Sequence, residues 1–405
     1  MRLDYGVTRA PARLFFGPGQ RRAIGRAAAD LGRKVLVCTD ARLAALPVMV
    51  EILDDLRTHG LEVAVFDATE AELPLAGIHA CVEAYRDFDP DVIIGLGGGS
   101  CLDLAKLVSL SLTYPGPLSQ YYGEFKVPGP VRPLIAVPTT SGTGSEATPV
   151  AVLADPERTM KVGISSPALI PHTAICDPEL TVTCPRGLTA ISGADALAHA
   201  IEAFAAVERP ADPQLAMTRV FVGKNTLSDH YALAAIRLVF DYLERAVEQG
   251  DDIEARSAIM LAATYAGLAF GSGGTAAAHA IQYPLGALTH TAHGLGVGIL
   301  LPFTMEFNLK AAGANYAEIG RAIGAASETQ SDQEAAAAAI DSVRTLFARI
   351  GIPDSVGEIG VAETDLDSLS ELSMGAARLV ENNPARLDAA AMKTILTRAL
   401  QGARG

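Results

Sequence analysis

The sequence predicts an α/β N-terminal domain with a parallel sheet, followed by an all-α C-terminal domain. Over the first 185 residues, short β-rich runs alternate with helix-like stretches. These runs lack the alternation of apolar and polar residues, which is typical of strands buried on both faces. Beyond that point the strand pattern ends, and an Ala- and Leu-rich helical pattern continues. We therefore expect one domain at 1–185 and a second at 186–405.

The N-terminal elements follow in a regular order of strands and helices. Parallel strands connected by helices have their carboxyl ends at one edge of the sheet, and open sheets bind ligands there. Strands are expected at 34–40, 62–68, 91–99, 133–140 and 173–178, and helices at about 20–31, 43–59, 76–87 and 101–112.

Composition and charge exclude several classes of protein. Hydrophobic residues make up 49% of the 405 residues and charged residues 19%, as in globular proteins. The net charge of −14 argues against a nucleic-acid partner.

The cysteines and the N-terminal stretch predict a cytoplasmic protein. The five cysteines are scattered and form no Cys-x-x-Cys pair, and the N-terminal stretch lacks the apolar run of a signal peptide. The uncharged segment 257–305 is interrupted by Gly and Pro, so we expect buried helix and no membrane contact.

Two loops at predicted strand ends have the composition of nucleotide-binding loops. In "IIGLGGGSCLDLAK", an apolar strand leads into glycines and then a helix, where backbone N–H groups can approach a pyrophosphate. In "PLIAVPTTSGTGSEATPV", a strand opens into small hydroxyl and glycine residues. Asp40 ends an upstream strand, where its carboxylate can accept hydrogen bonds from a ribose. Plain turns and a solvated carboxylate are the alternatives, but two such loops on one sheet favour a nucleotide.

The stretch "GADALAHAIEAF" contains a candidate pair of metal ligands. Asp195 and His199 are four residues apart, which places them on the same face of a helix. A carboxylate and an imidazole in this arrangement can bind one divalent metal. A solvated or core pair is the alternative for these two residues taken alone.

The uncharged segment adds the histidines that complete the predicted metal site. His279 and His293 are 14 residues apart, which is roughly 21 Å along a straight helix. They can share an ion only if the chain folds back between them, and we expect the break at Pro284 and Gly286. One carboxylate oxygen and three imidazole nitrogens suit Fe(II), the expected metal, or Zn(II). His290 is expected to form hydrogen bonds or to line the pocket.

Together these stretches resemble the iron-containing (group III) alcohol dehydrogenases. The matching pieces are "GGGSCLDLAK", "PLIAVPTTSGTGSE", "KVGISSPALIP", "DPELT", "DALAHAIEA" and "AHAIQYPLG…AHG", in family order from about residue 12 to about residue 305. The resemblance implies a Rossmann-like, dehydroquinate synthase-like first domain and a helical second domain that binds the metal. The metal ligands that it implies are Asp195, His199, His279 and His293. The cofactor contacts that it implies are Asp40, Gly97, Gly98, Gly99, Ser100, Asp103, Thr139, Thr140, Thr143, Lys161 and Leu180.

The chain departs from the family pattern at several positions. Cys101 stands where proline is common, and Leu73-Pro74 replaces an Asn-Pro near the adenosine site. Tyr283 stands where a second histidine often follows the third metal ligand. Tyr283 and the long stretch 209–229 resemble the hydroxyacid–oxoacid transhydrogenase branch of the family.

The expected function is a metal-dependent oxidoreductase that interconverts an alcohol and an aldehyde or ketone with NAD(H). The metal is expected to act as a Lewis acid on the substrate oxygen, and the nicotinamide to carry the hydride. Tyr283 and His290 are the expected catalytic side chains, with the Tyr283 hydroxyl as a hydrogen-bond donor or proton relay. The expected partners are a small alcohol, aldehyde or hydroxyacid and further copies of the chain in a homo-oligomer.

Three alternatives remain open from the sequence. The first is a transhydrogenase that keeps its nicotinamide bound throughout. The second is a lyase of the dehydroquinate synthase type. The phosphate and carboxylate groups of its substrate would need a cluster of cationic side chains. The helical half has only three lysines: Lys224, Lys310 and Lys393. The third is a non-catalytic protein that binds a nucleotide or a metal.

Overall fold

The computed structural model describes residues 5–158 and 160–402. These residues divide into two compact units. One unit runs from Arg9 to Cys184 and also takes in Met217–Val220. The other unit contains the remaining described residues, and its main part begins at Pro185.

The first unit is built on a six-stranded parallel sheet. The order of the strands in that sheet is β1-β9-β6-β4-β2-β3, and β5, β8 and β7 form a smaller sheet in which β7 and β8 are antiparallel. The strands are β1 (Arg13–Phe16), β2 (Lys34–Cys38), β3 (Glu62–Phe66), β4 (Val92–Gly97), β5 (Gly123–Glu124), β6 (Leu134–Pro138), β7 (Val150–Leu153), β8 (Val162–Ser165) and β9 (Thr173–Cys176).

Helices of the first unit cover both faces of the large sheet. Val35 and Val37 of β2 belong to one buried cluster, whereas Leu36 and Cys38 belong to another. Successive side chains of a strand point to opposite faces, so each face has its own core. This confirms the predicted α/β fold class. The helices are α1 (Ile24–Ala29), α2 (Ala41–Ala44), α3 (Pro47–Thr58), α4 (Leu75–Tyr85) and α5 (Gly99–Thr113).

The second unit is helical throughout its described residues. None of the helices described in the chain combines the length and the apolar character needed to cross a membrane. The helices are α6 (Arg186–Phe204), α7 (Leu215–Thr218, in part assigned to the first unit), α8 (Thr226–Glu248), α9 (Ile253–Gly273), α10 (Ala277–Thr289), α11 (His293–Ala322), α12 (Asp332–Ile350), α13 (Leu366–Ser373), α14 (Ala377–Asn382) and α15 (Ala389–Gln401).

The uncharged segment forms α9, α10 and the start of α11, and its break differs from the prediction. The expectation of a turn at Pro284 and Gly286 is wrong, because α10 continues through both residues. Proline removes one backbone hydrogen bond, but tertiary packing of the helix outweighs that loss here. The chain turns instead at His290, which adopts a left-handed conformation with φ 54°, and α11 starts three residues later.

Candidate metal centre and nucleotide-binding loops

Three imidazoles of the second unit converge on one carboxylate oxygen, Oδ1 of Asp195. Asp195 and His199 lie one turn apart on α6, His279 lies in the first turn of α10, and His293 is the first residue of α11. The distance from Asp195 Oδ1 to the Nε2 atom is 3.6 Å for His279 and 3.9 Å for both His199 and His293. The structure thus brings together the four residues that the sequence singled out.

The four side chains differ in their exposure to solvent. The exposed fraction of the side chain is 5% for Asp195, 7% for His199 and 4% for His279, but 27% for His293. The ring of Phe270 on α9 stacks on His199, with centroids 4.2 Å apart and an interplanar angle of 18°. Three of the four side chains are therefore buried, and His293 is the one partly exposed to solvent.

A close approach of two helix backbones places His293 in this group. Gly294, the second residue of α11, packs against α6, and a Cβ atom there would lie 2.4 Å from the backbone oxygen of Ile191. The same atom would lie 3.0 Å from Cβ of Asp195. Only a residue without a side chain allows this approach, so glycine at 294 brings the first turn of α11 to the candidate ligands on α6.

Glu202 is a buried residue of the site that the sequence analysis missed. Its carboxylate accepts a hydrogen bond from His279 Nδ1 at 2.6 Å. It also accepts hydrogen bonds from the backbone N–H groups of Ala276 and Ala278, at 2.9 and 2.7 Å. Counting the helical face would have found it, because residues 195, 199 and 202 follow the i, i+4, i+7 pattern of one face.

The electrostatics of the centre favour a cation between its carboxylates. Burial alone would raise the pKa of Asp195, but the neighbouring imidazoles, His199 foremost, hold it well below its usual range. Burial would likewise lower the pKa of His279, but Glu202 and Asp195 raise it to about 9. Burial acts to raise the pKa of Glu202 as well, and the contact with His279 lowers it below its ordinary value.

The donor set fits a divalent transition metal. Asp195 Oδ1 and His279 Nε2 are buried, and neither has a hydrogen-bond partner among the described residues. The ligand atoms of Asp195, His199 and His279 all lie within 4.8 Å of one another. Tetrahedral ligands at about 2.1 Å from a metal lie about 3.4 Å apart, so small side-chain movements suffice to bind an ion. An ion there would satisfy both orphaned atoms.

The two expected catalytic side chains lie in different surroundings, Tyr283 within α10 and His290 at its C-cap. Tyr283 is half-buried, and its ring centroid is 6.1 Å from that of His293. His290 is exposed at the end of α10. The structure therefore places Tyr283 beside a candidate ligand and His290 at the surface.

The glycine loop of the first unit forms the start of α5. Gly98 is the N-cap residue and offers no side chain to the N–H groups of the first turn. Gly99 packs against the loop that follows β6, since a Cβ atom there would lie 2.6 Å from Cγ2 of Thr143. A helix N-terminus without a side-chain cap is suited to bind a phosphate. Of the remaining predicted residues, Gly97 ends β4, Ser100 is the second residue of α5, and Thr140 lies in the loop after β6.

A cavity of about 250 Å³ lies at the carboxyl edge of the sheet. Its lining includes Leu43, Leu96, Thr139 and Leu180, of which the sequence analysis named the last two. The Thr139 hydroxyl is buried and has no hydrogen-bond partner among the described residues. The lining is mainly apolar but also includes Arg21, Glu51 and Glu179. A mainly apolar cavity with an orphaned hydroxyl suits a flat heterocycle with polar edges.

The charged residues expected to contact the cofactor also have partners within the first unit. Asp40 caps α2 through the N–H of Leu43 at 2.9 Å, and Cys101 Sγ lies 3.8 Å from its other oxygen. Lys161 forms an ion pair with Glu72.

Asp103 and Lys106 connect α5 to the segment that follows the β6 loop. Asp103 accepts hydrogen bonds from the Ser145 hydroxyl at 2.6 Å and from the N–H of Val152 at 2.9 Å. Lys106 is 1% exposed, and its Nζ donates to the backbone oxygens of Thr148 and Val150 at 3.0 and 2.8 Å. Burial lowers the pKa of Lys106 to about 8, against the attraction of Asp103. These contacts fix the β6 loop against the glycine loop.

Comparison with known proteins gives consistent matches over almost the whole chain. Residues 11–178 match the family described as iron-containing alcohol dehydrogenase, and residues 189–400 match its C-terminal family. An NAD-dependent methanol dehydrogenase of Bacillus methanolicus is 34% identical over 362 residues, which is 89% of this chain and 91% of that protein. The mitochondrial hydroxyacid-oxoacid transhydrogenase of Bos taurus is 31% identical over 94% of this chain and 87% of its own length.

Solved structures agree with the fold and with the sequence matches. The crystal structure of a 1,3-propanediol oxidoreductase superimposes with a TM-score of 0.91 and 32% identity, and the match covers 98% of this chain and 100% of that one. The same chain has a cluster of candidate metal ligands in the second unit. Its first unit has loops of the kind that bind nucleotides. The chain therefore belongs to the iron-containing alcohol dehydrogenase family.

Proposed function

We propose that the chain is an NAD-dependent alcohol dehydrogenase whose metal is bound by Asp195, His199, His279 and His293. The observation that carries the proposal is the convergence of three imidazole nitrogens on one oxygen of Asp195, within 3.6 to 3.9 Å. When bound, Fe(II), or alternatively Zn(II), supplies a Lewis acid for the substrate oxygen, and NAD supplies the hydride acceptor.

The residues around the candidate ligands hold them in place and exclude water. Phe270 fixes the plane of His199 by stacking, and Glu202 fixes His279 by a hydrogen bond. Both residues are almost fully buried, as are Asp195 and His279. A dry site strengthens the electrostatic interactions of the ligands and protects a hydride donor from side reactions.

We propose that Tyr283 and His290 transfer the substrate proton towards solvent. The half-buried Tyr283, beside His293, would exchange a proton or hydrogen bond with the substrate oxygen. His290 is exposed at the C-terminal end of the same helix and would pass the proton to water. A tyrosine that only fills the wall of the site is the alternative for Tyr283.

The nucleotide is proposed to bind to the first unit. Its pyrophosphate would lie on Gly97, Gly98, Gly99 and Ser100, where the uncapped N–H groups of α5 begin. Thr139, Thr140, Thr143 and Leu180 would contact the rest of the nucleotide, with Asp40 on the ribose. Asp103 and Lys161 remain proposed contacts, although their intramolecular partners suit them equally to hold the loops.

One experiment tests the metal and the reaction together. The His279→Ala, His290→Ala and Tyr283→Phe variants are purified without chelators, and their metal content is measured beside NADH formation from a panel of alcohols. His279→Ala is expected to lose both metal and turnover, whereas the other two retain the metal and lose only part of the turnover. Equal metal loss from His279→Ala and His290→Ala would mean that the wrong histidine has been assigned.

The alternative enzymes make different predictions in the same assay. The relatives favour a dehydrogenase over a transhydrogenase, and NADH released into solution distinguishes the two. A transhydrogenase would form 2-hydroxyglutarate from 4-hydroxybutyrate and 2-oxoglutarate without added cofactor. The lyase is disfavoured, because Lys224 is buried against Asp229 and Lys393 forms an ion pair with Asp367. A non-catalytic protein would show no turnover with any alcohol of the panel.

We further propose a small alcohol or aldehyde as the substrate, a cytoplasmic location and a homo-oligomer. All five cysteines are buried thiols, which fits a reducing compartment. Light scattering of the purified chain measures the number of subunits.

A further inference from the structure

Glu202 makes three contacts that go beyond those of an ordinary buried acid. The side chain is 6% exposed and reaches from α6 to the start of α10. One oxygen accepts from the N–H of Ala278, and the other accepts from both the N–H of Ala276 and Nδ1 of His279. Glu202 itself is not one of the residues proposed above as metal ligands, but one of its three partners, His279, is.

The first role of Glu202 is to cap the helix that carries His279. The N-cap residue of α10 is Ala276, whose side chain makes no capping hydrogen bond. A helix N-terminus leaves several N–H groups without partners, and a Ser, Thr, Asp or Asn usually supplies the acceptor. Here the acceptor comes from α6, the same helix that carries Asp195 and His199. The hydrogen bonds from Glu202 therefore fix the first turn of α10, and with it His279, relative to the two candidate ligands on α6.

The second role follows from the chemistry of the donors. Two backbone N–H groups can only donate, so each oxygen of Glu202 accepts at least one hydrogen bond, which is the arrangement expected of a carboxylate. An acceptor opposite Nδ1 requires that Nδ1 carries the proton. In the neutral imidazole, the form that binds a metal, the lone pair of His279 is then on Nε2, which lies 3.6 Å from Asp195 Oδ1. A metal binds the nitrogen that carries the lone pair.

We propose that Glu202 is a positioning residue of the metal centre, which selects the metal-binding tautomer of His279 and fixes the helix turn on which that histidine lies. The inference rests on the metal site proposed above. This role goes beyond helix capping. A glutamine at position 202 could still accept a hydrogen bond from one backbone N–H group of α10, but it could not accept from all three donors.

The test uses Co(II) as the probe and the full-length protein. Co(II) affinity is measured by competition with a chelator, and the visible absorption of the Co(II) protein reports its ligand set. In Glu202→Gln the amide NH₂ group can donate to His279 Nδ1, which moves the ring proton to Nε2. Loss of such a second partner typically costs 10- to 100-fold in metal affinity, so we expect at least roughly a tenfold loss and an altered Co(II) spectrum.

A matched control separates this effect from the general cost of replacing a buried carboxylate. Asp229 on α8 is also buried, pairs with Lys224 at 2.9 Å, and is not one of the proposed ligands. Asp229→Asn is expected to lower the melting temperature but to leave the Co(II) affinity and spectrum unchanged. Amide exchange of Ala276 and Ala278 is expected to accelerate in Glu202→Gln and not in Asp229→Asn.

Glu202→Asp keeps the charge and withdraws the carboxylate by one methylene, so it provides the test if Glu202→Gln does not fold. Weaker Co(II) binding by this variant supports the proposal. Wild-type Co(II) affinity and spectrum in a folded Glu202→Gln or Glu202→Asp protein overturn it. Retention of Co(II) by His279→Ala would instead show that the metal site itself is wrongly assigned.

Discussion

The contact between Gly294 and α6 allows a sharp test of how the candidate centre is assembled. In Gly294→Ala the new Cβ would lie 2.4 Å from the backbone oxygen of Ile191. A carbon–oxygen contact needs about 3.3 Å, so the first turn of α11 must move by about 0.9 Å. His293 precedes Gly294 directly and moves with it. Metal–ligand distances tolerate only about 0.2 Å, so His293 would no longer reach the ion.

Two effects of this substitution on stability oppose each other. Alanine is favoured over glycine by up to about 1 kcal/mol in a helix interior, and by less at the second residue of α11. Overpacking against a backbone atom costs about 1–3 kcal/mol. Overpacking is the larger effect, so we expect a net loss in the free energy of unfolding together with at least roughly a tenfold loss of Co(II) affinity.

Gly313 provides the matched control on the same helix. A Cβ atom at this position would meet nothing within 4 Å. Gly313 directly follows Ala312, whose non-helical conformation (φ −120°, ψ 16°) kinks α11, so Gly313→Ala is expected to change the free energy of unfolding by less than about 1 kcal/mol and to leave Co(II) binding unchanged. Urea unfolding and chelator competition measure the two quantities. Wild-type Co(II) affinity in Gly294→Ala, with a stability equal to that of the control, would refute the reasoning.

Two further predictions concern the first unit. Asp40→Ser keeps a cap for α2 but removes the charge that would repel the 2′-phosphate of NADP. The ratio of kcat/KM for NAD to kcat/KM for NADP is therefore expected to fall by roughly tenfold or more. A wild-type enzyme that prefers NADPH would contradict the proposed place of Asp40. Lys106 has a pKa of about 8 in the folded protein and 10.5 ordinarily. Between these values the unfolded chain binds the extra proton, so the wild type is expected to gain stability relative to Lys106→Met as the pH rises from 8 to 10.5, by up to about 3 kcal/mol in urea unfolding. A difference between the two proteins that stays constant with pH would rule out the lowered pKa.

The parallel sheet was predictable because its central strands are buried on both faces. Runs such as "KVLVC" and "VIIGLG" form β2 and β4 as expected. The edge strand β1 was not predicted, since its four residues are exposed or half-buried and carry an arginine. Strands β7 and β8 of the smaller sheet were missed as well, since half of their residues are only half-buried, whereas the equally short β9 is buried throughout and was predicted. Short edge elements depend on their neighbours more than on their own pattern.

The candidate centre was predictable in its members but not in its construction. The spacing of Asp195 and His199 specifies one helix face, which any helix would preserve. The route of the chain from His279 to His293 depended on the packing of α10, which outweighed the local effect of Pro284. Glu202 escaped notice because an acid near a helix end is usually solvated, and only the tertiary structure shows that it is buried.

The four candidate ligands are unequally exposed to solvent, and this determines the side from which a molecule can reach the ion. Asp195, His199 and His279 are enclosed, whereas the imidazole of His293 is partly in contact with solvent. We therefore expect a chelator and an alcohol to approach the ion from the same side, past His293 and Tyr283. Occupancy of that side by a substrate would delay removal of the ion, so the rate at which a chelator strips the enzyme becomes a measure of substrate binding that needs no catalytic turnover.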